Sequence, residues 1–335
     1  DNMILLRLDV PPGNSFILTS FFLSSLLPAY LLASAERKIH DVDMIPLLSL
    51  FCLLFLAGMA LNWDALAGTA EQRMRLVKIN PIGMAYTASS FLLFYLLVFM
   101  RSRRFLVEAL LFAPCLMVIA SLARSRGMLI ATGLTLLVYV ILVRGKAKTW
   151  SLVALTATAM AIGILGAEYV DYAVEALQRI DAQSDQSTFE RTVQFQDAWN
   201  QFLADPLIGR YVNAQAFNFY PHNIYLESLM SVGILGTAPF LIHIILACWA
   251  AIYLLRRKDY TFVRLFIALL FIRDAIGAAA SGSLWGSPSF WITSFLVIVM
   301  WRHVRADDLV LSRSSPRPRS LVSWMATGHK TGAVS

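Results

Sequence analysis

The residues best suited to chemistry lie in one long polar interval, from Phe189 to Gly236, in a chain that is otherwise apolar. This interval contains arginines, carboxylates, aromatic residues and a single histidine, His222. Guanidinium groups bind phosphate oxygens in pairs and stay charged at any working pH, and histidine can assist an attacking hydroxyl. The combination favours transfer of a group from a phosphate leaving group to a hydroxyl. We therefore predict that the interval carries the chemistry.

The composition excludes most soluble classes of protein. Of 335 residues, 58% are hydrophobic and only 15% are charged, and a soluble domain of this size could not bury that much apolar surface. The formal net charge of +7 is spread in short clusters between apolar stretches, as in membrane loops and unlike a nucleic-acid-binding face. Cys52, Cys115 and Cys248 lie within apolar stretches, so we expect neither a disulfide framework nor a metal cage.

The elements that must position the polar interval are membrane-spanning helices. The hydropathy pattern predicts an all-α polytopic transmembrane bundle of about nine spans, because a bilayer core requires about 20 apolar residues per helix. The predicted spans are approximately 16–34, 45–61, 82–100, 105–122, 127–143, 149–167, 229–255, 261–280 and 288–302. The predicted organisation is N-terminal helices over 1–167, a catalytic loop over 168–228, C-terminal helices over 229–305 and a disordered tail over 306–335.

Basic residues predict the orientation of these helices. Lysine and arginine concentrate in one alternating set of loops and in the tail, at 36–38, 101–104, 144–148 and 256–258. The positive-inside rule assigns this set to the cytoplasm, so the long loop is predicted to face outward. The amino terminus would then also begin outside. Together with the missing initiator methionine, this leads us to expect that an odd number of spans precedes Asp1.

Several arginines fall on the outward side, which the positive-inside rule disfavours. Arg126 lies between two closely spaced spans, and Arg124 is two residues before it. An unpaired guanidinium is costly at a membrane edge, so we interpret Arg126 as binding an anion. Arg73 and Lys78 are more typical of residues that contact lipid headgroups.

The pattern around His222 indicates its place in the loop. His222 follows Pro221 and precedes the apolar stretch 224–230, which predicts that it lies in the first turn of a helix entering the membrane. Free N–H groups at such a position favour an anionic ligand. A purely structural hydrogen-bonding role for His222 stays open. Trp199 and Tyr225 could stack against sugar rings or pack the loop onto the bundle.

Other polar residues are given structural interpretations. Asp197 is interpreted as a loop cap, and Asp205-Pro206 as the start of a turn. Asp41-Val42-Asp43 resembles the Asp-x-Asp of metal-dependent sugar transferases, but it lies on the predicted cytoplasmic side and is interpreted as a solvated loop. Arg273-Asp274, within a span, predicts an internal ion pair, with a contact to a diphosphate as the lesser alternative.

The order of these motifs resembles the polytopic O-antigen ligase and O-antigen polymerase superfamily over roughly residues 105–255. The matching pieces are Ser125-Arg126-Gly127, Arg191 followed by Trp199, Asp205-Pro206-Leu207-Ile208-Gly209, and His222-Asn223-Ile224-Tyr225-Leu226 leading to Gly233 and Gly236. The family often has a second glycine soon after the Pro-Leu-x-Gly turn, whereas Arg210 follows Gly209 in this chain.

The resemblance implies a bacterial inner-membrane glycosyltransferase. Such enzymes take a glycan from undecaprenyl pyrophosphate on the periplasmic side and join it to another glycan or to lipid A-core, without a nucleotide sugar, a cofactor or a required metal. It implies catalytic roles for His222, Arg191 and Arg126. Further substrate-binding residues are predicted at Arg124, Arg210, Asn223, Trp199 and Tyr225.

Within this class the sequence leaves three acceptors open. The acceptor is another lipid-linked repeat in a polymerase, lipid A-core in a ligase, or a protein. The alternative from another class is a transporter or flippase for lipid-linked sugars, which would carry charged or broken segments near the middle of the membrane. A structural membrane subunit without activity is the third reading. The concentration of polar residues in one external loop favours the enzyme.

Overall fold

The computed structural model describes residues 19–36, 41–61, 81–101, 106–122, 126–142, 186–215, 219–257 and 261–314. Within these ranges the chain is almost entirely helical, and the only strand-like pairing there is an isolated antiparallel bridge between Ala214 and Phe219. The predicted all-α class is therefore confirmed for the described part of the chain. The predicted span at 149–167 lies outside it.

Apart from the amphipathic helix Gln186–Ala204, which lies within the predicted 168–228 loop, the helices follow the apolar stretches of the sequence. After a π-helical turn at Phe22–Leu26, they are α1 (Leu27–Ala35), α2 (Asp41–Leu61), α3 (Pro81–Arg101), α4 (Leu106–Leu122), α5 (Arg126–Leu142), α6 (Gln186–Ala204), α7 (Ile224–Arg256), α8 (Phe262–Ser281) and α9 (Pro288–Ser314). The last helix continues to Ser314, into the segment that the sequence analysis assigns to a tail.

Two of the described helices, α2 and α7, are long and apolar enough to cross a bilayer. The prediction of about nine spans is therefore not confirmed, because the other apolar helices are shorter or carry more charge. Many large apolar side chains nevertheless point away from the core, such as Leu54 on α2 and Trp249 on α7, which are 58% and 64% exposed. Exposed apolar faces of this extent indicate an integral membrane protein.

The core lies where α7, α8 and α9 pack against one another, with α5 and α3 added on the side of α8. Interlocking aromatic rings fill it, for example Phe94 with Phe262 and Phe266 at centroid distances of 5.6 and 6.0 Å. The amphipathic helix α6 packs on α7. A small apolar cluster of Ala198, Ala214 and Met230 forms where the two helices meet the segment between them. The connection between α6 and α7, described at 205–215 and 219–223, is thus anchored to the bundle.

One buried ion pair, between Arg273 and Asp274 of α8, lies within this core. Arg273 donates to Asp274 Oδ1 from Nε at 2.9 Å and from Nη2 at 2.5 Å, which confirms the predicted internal pair. The remaining donor Nη1 reaches the Tyr86 carbonyl at 3.1 Å and the Ser90 hydroxyl at 2.5 Å. Complete pairing of this kind is what allows a charged side chain to remain in an apolar interior.

The two ends of the bundle carry different groups. At one end Glu36, after α1, accepts from His303 Nδ1 at 2.6 Å and lies 3.9 Å from Arg264, and Arg257 pairs with Asp308 nearby. The opposite end carries the start of α7, the end of α8 and the turn from α8 to α9. The predicted alternation of loops likewise assigns residue 36, the 256–258 segment and the region after α9 to one side.

Candidate functional site

Helix α7 begins one residue after a side-chain cap. The Asn223 Oδ1 atom accepts from the backbone N–H groups of Tyr225 at 3.0 Å and of Leu226 at 3.1 Å. His222 therefore lies two residues before the first helical residue and not in the first turn. An asparagine can satisfy the free N–H groups of a helix start from the N-cap position, and its cap sets the beginning of the helix. Asn223 is a predicted substrate-binding residue, and its side-chain carbonyl oxygen is thus used to cap α7.

His222 adopts a left-handed backbone conformation, with φ of 56°, and no other described non-glycine residue has a positive φ. Its ring lies 4.5 Å from the ring of Tyr220 and 5.4 Å from that of Phe219, measured between centroids. The Nδ1 atom is buried and has no hydrogen-bond partner among the described residues. Strained backbone and an unsatisfied buried polar atom are features that concentrate at functional sites.

The imidazole of His222 is uncharged near neutral pH. Burial, together with the positive charge of Arg191, lowers the pKa of His222 from 6.5 to about 4. The neighbouring phenol is also held in its neutral form, because burial and the Glu227 carboxyl raise the pKa of Tyr220. A neutral imidazole can accept a hydrogen bond or a proton from a hydroxyl.

Arg191 and Arg126 belong to segments that lie against the end of α8. Arg191, on α6, donates from Nη1 to the Ala280 carbonyl at 3.3 Å. Arg126 is the first residue of α5, and the backbone of Gly127 lies so close to α8 that an added Cβ would be 3.1 Å from the Ala280 Cβ. The start of α5 and the Arg191 side chain of α6 therefore both approach the last turn of α8. Arg124 lies outside the described residues.

The Asp205-Pro206 turn is locked to a break in α7. Proline disfavours helical geometry in the residue before it, so α6 ends at Ala204. Within α7, Gly233 has φ of 61°, outside the helical region. The N–H groups of Ile234 and Leu235 donate instead to the Pro206 and Leu207 carbonyls at 2.8 and 3.1 Å.

Two glycines make this contact feasible. Gly209 has φ of 71°, and an added Cβ there would lie 2.5 Å from the Ser231 carbonyl carbon. A Cβ on Gly233 would meet the backbone of Leu207 and Ile208. The glycines of the Pro-Leu-x-Gly turn and of the Val-Gly-Ile segment therefore allow two backbones to touch. This contact fixes the connection between α6 and α7 relative to the start of α7.

Replacing Gly233 with alanine is expected to lower the free energy of unfolding by at least about 1–3 kcal/mol, because the positive φ and the backbone contact both oppose a side chain. The matched control is Gly58→Ala in α2, where an added Cβ meets nothing within 4 Å. That control should leave stability unchanged or raise it by up to about 1 kcal/mol. Thermal unfolding in detergent measures the stability of both variants. Equal unfolding midpoints would contradict a stabilising role of the backbone contact at Gly233.

A cavity of about 520 Å³, with both apolar and polar lining residues, opens beside the His222 segment. We call it the Glu227–Asp274 cavity after its two carboxyl groups. It is also lined by Tyr86 from α3, Tyr220 from the connection between α6 and α7, and Ser289 from α9. Glu227 is fully buried, and it accepts from Leu284 N at 2.7 Å and from Ser283 Oγ at 3.1 Å. These bonds hold the turn between α8 and α9 against the first turn of α7.

Asp274, Glu227 and Tyr220 could be singled out from the sequence one by one, but nothing in the sequence predicted that they line one cavity. A signal was present in the serine- and glycine-rich turn at 281–289, which interrupts two apolar stretches and contains Trp285. Asp274 lines the cavity and also accepts from Ser289 Oγ at 2.5 Å. A buried carboxyl at the start of a long apolar helix, as at Glu227, is a further signal of this kind.

The remaining predicted binding residues lie around this centre in different settings. The Tyr225 hydroxyl donates to the Ala275 carbonyl at 3.1 Å, linking α7 to α8. Arg210 is exposed, with its guanidinium carbon 5.7 Å from the centre of the Tyr211 ring. Trp199 is about half exposed and packs on Phe202. Among the described residues, no three His, Cys, Asp or Glu side chains gather as a metal-binding group.

Residues 109–241 match the O-antigen ligase family. The resemblance drawn from the motifs is therefore confirmed over this range, which runs from α4 past the break in α7 and includes Arg126, Arg191 and His222. The match supports a role in O-antigen ligation or polymerisation. No curated protein sequence gives a significant match to the chain.

Proposed function

We propose, with the O-antigen ligase match as the premise, that this chain is a membrane glycosyltransferase for undecaprenyl-pyrophosphate-linked oligosaccharides. It would transfer or polymerise such glycans at the periplasmic face of the bacterial inner membrane. The observation that carries the proposal is the site before α7, where His222 has a left-handed backbone and a buried Nδ1 without a partner among the described residues, within the electrostatic influence of Arg191. The proposed transfer needs one group that assists the attacking hydroxyl and a cation that stabilises the departing diphosphate.

In the proposed reaction an acceptor hydroxyl oxygen bonds to the anomeric carbon of the donor sugar. The bond from that carbon to the diphosphate oxygen breaks, and its electron pair leaves with the diphosphate. The hydroxyl proton passes to His222 and then to solvent. Because a pKa of about 4 makes the imidazole a weak base, we expect it to orient the hydroxyl and to take the proton as the new bond forms. A single displacement inverts the configuration.

The arginines neutralise the diphosphate as its charge develops. Arg191 is held at the end of α8 by the hydrogen bond from its Nη1 to the Ala280 carbonyl. Arg126 begins α5 against the same turn, so the two positions can serve one leaving group. Guanidinium groups contact phosphate oxygens in pairs, which fixes the orientation of the diphosphate as well as its charge.

The periplasmic orientation is tested by cysteine labelling in a background without Cys52, Cys115 and Cys248. Cysteines introduced at positions 185 and 215 should react with an impermeant thiol reagent in intact spheroplasts, and one at 146 should not, because the basic loops are expected to be cytoplasmic. Labelling at 146 with protection at the other two positions would invert the orientation and would contradict periplasmic chemistry.

The activity itself is tested with purified protein in detergent. Given a lipid-diphosphate glycan and a glycan acceptor, the protein should form the new glycosidic bond without nucleotide sugar. A chelator should have no effect, because arginines supply the positive charge in the proposed reaction. If the wild-type protein forms no bond but moves the lipid-linked donor across proteoliposomes, the transporter is the better assignment.

A further inference from the structure

The Glu227–Asp274 cavity differs in chemistry from the arginine side of the site. None of its lining residues in the described part of the chain is a lysine or an arginine. The nearby guanidinium of Arg273 is fully engaged with Asp274, a backbone carbonyl and serine hydroxyls. An anionic diphosphate would therefore find no counter-charge in the cavity, and its transfer from water would be costly.

The lining instead suits a neutral molecule that carries many hydroxyl groups. It combines the hydroxyls of Tyr86, Tyr220 and several serines with the indole of Trp285, over two buried carboxyl groups that hold the lining in place. The Nε1 atom of Trp285 is buried without a hydrogen-bond partner among the described residues. A volume of about 520 Å³ is in the range of small-ligand sites, which combine apolar surfaces with a few convergent polar groups.

The cavity also adjoins the proposed catalytic histidine. Tyr220 lines it, and the Tyr220 ring lies 4.5 Å from that of His222. Of the two sugars in the reaction, the donor sugar is bonded directly to the diphosphate and must remain with the arginines. The acceptor sugar is the one that needs a neutral pocket next to His222.

We propose that the Glu227–Asp274 cavity binds the neutral terminal sugar of the acceptor glycan and presents its attacking hydroxyl to His222. The exposed Ser289 and the half-buried Tyr220 would bond the other hydroxyls of the ring, and the buried Glu227 and Asp274 would set its orientation by positioning Ser283 and Ser289. The proposal rests on the proposed function, and it adds a preference for uncharged acceptor termini over those that end in a uronic acid.

The kinetic test varies one substrate at a time. In Glu227→Gln and Ser289→Ala proteins, KM for the acceptor should rise about 10-fold, as expected for one weakened hydrogen bond, while KM for the lipid-diphosphate donor stays within about twofold. Thr293→Val is the matched control, because Thr293 lies one turn after Ser289 on α9 and its hydroxyl bonds only carbonyls of its own helix. It should change neither constant. A rise in the donor KM alone, or no change in either constant, would overturn the proposal.

Ser289→Ala keeps the test available if Glu227→Gln fails to fold, since Glu227 also holds the turn between α8 and α9. Two diphosphate-free probes that end in a neutral hexose distinguish the sources of the acceptor: a delipidated core oligosaccharide and a repeat-unit oligosaccharide. Saturation by the first identifies a ligase and by the second a polymerase, and either result supports the cavity. Equal KM values for the preferred probe and for its analogue ending in a hexuronate would contradict it.

A direct binding experiment separates this proposal from the proposed function. Calorimetry with each neutral probe needs no turnover, so it still applies if the wild-type protein makes no bond. Binding that weakens about 10-fold in Ser289→Ala and not in Thr293→Val would support the cavity as a sugar site even without transferase activity. Unchanged binding in both variants, or no binding of either probe to the wild-type protein, would overturn it.

Discussion

Replacing His222 with alanine is expected to lower the rate of glycan transfer by about 10²–10⁴-fold, the effect of losing acid–base assistance. Donor binding should weaken much less, because the arginines still hold the diphosphate. Single-turnover rates and donor affinity, measured on the same preparation, give the two quantities. A wild-type rate in the alanine variant would exclude the histidine as a catalyst.

A second variant separates chemistry from backbone strain. Alanine is poorly suited to the left-handed conformation at this position, whereas asparagine adopts positive φ several-fold more readily. His222→Asn should therefore keep the fold of the segment and still lose most of the rate. If the asparagine variant is as active as the wild type while the alanine variant is unfolded, the histidine acts only through the backbone.

The pH dependence follows from the low pKa of His222. Only the neutral imidazole can assist the hydroxyl, so kcat/KM should stay level from neutral pH down to about 5 and fall as the pH decreases through about 4. An unperturbed histidine would place this acid limb near 6.5. The limb should disappear in His222→Asn. An acid limb near 6.5 in the wild type would mean that the imidazole is more solvated than the structure has it.

Replacing Arg191 with alanine is expected to reduce transfer by at least about 10²–10³-fold, because a group that stabilises the developing charge of the leaving diphosphate is lost. Arg191→Lys should recover little, since an ammonium is a point charge and cannot make paired contacts to phosphate oxygens. Arg126 is expected to behave in the same way. Initial rates with saturating acceptor, on protein shown to be inserted in the membrane, measure these effects.

The control for charge alone is Arg302→Ala, an exposed arginine of α9 next to His303 at the opposite end of the bundle. It should leave the rate unchanged. Full activity in the lysine variants of both Arg191 and Arg126 would show that the arginines attract the donor by charge and do not bind its oxygens in a defined geometry.

The amino-acid sequence by itself determined the helical class and most helix positions. Runs of apolar residues define α2 and α7, and Asp205-Pro206 ends α6 where the restriction before proline requires it. The motifs around Arg126, Arg191 and His222 also indicated the resemblance to the O-antigen ligase family that residues 109–241 match, because they depend on residue type, order and spacing along the chain.

The local geometry of the site was only partly predictable. His222 was expected inside the first helical turn, but the Asn223 side chain caps α7 one residue later. His222 and Asn223 are adjacent, and the hydrogen bonds to the Asn223 side chain make Asn223 the N-cap, so that His222 precedes the helix. Similarly, the low pKa of His222 depends on burial and on the approach of Arg191, and neither is a property of the local sequence.

The tertiary structure alone decided which distant segments share the site. Gly209 and Gly233 were read as part of an ordered pattern, yet only the fold shows that they touch and that the break in α7 donates to the Pro206 carbonyl. The Glu227–Asp274 cavity is lined by residues from α3, the connection between α6 and α7, α7, α8 and the turn before α9. Hydropathy and spacing describe neighbours along the chain, whereas a cavity depends on how helices pack, so the sequence did not show that Glu227, Asp274 and Tyr220 share one cavity.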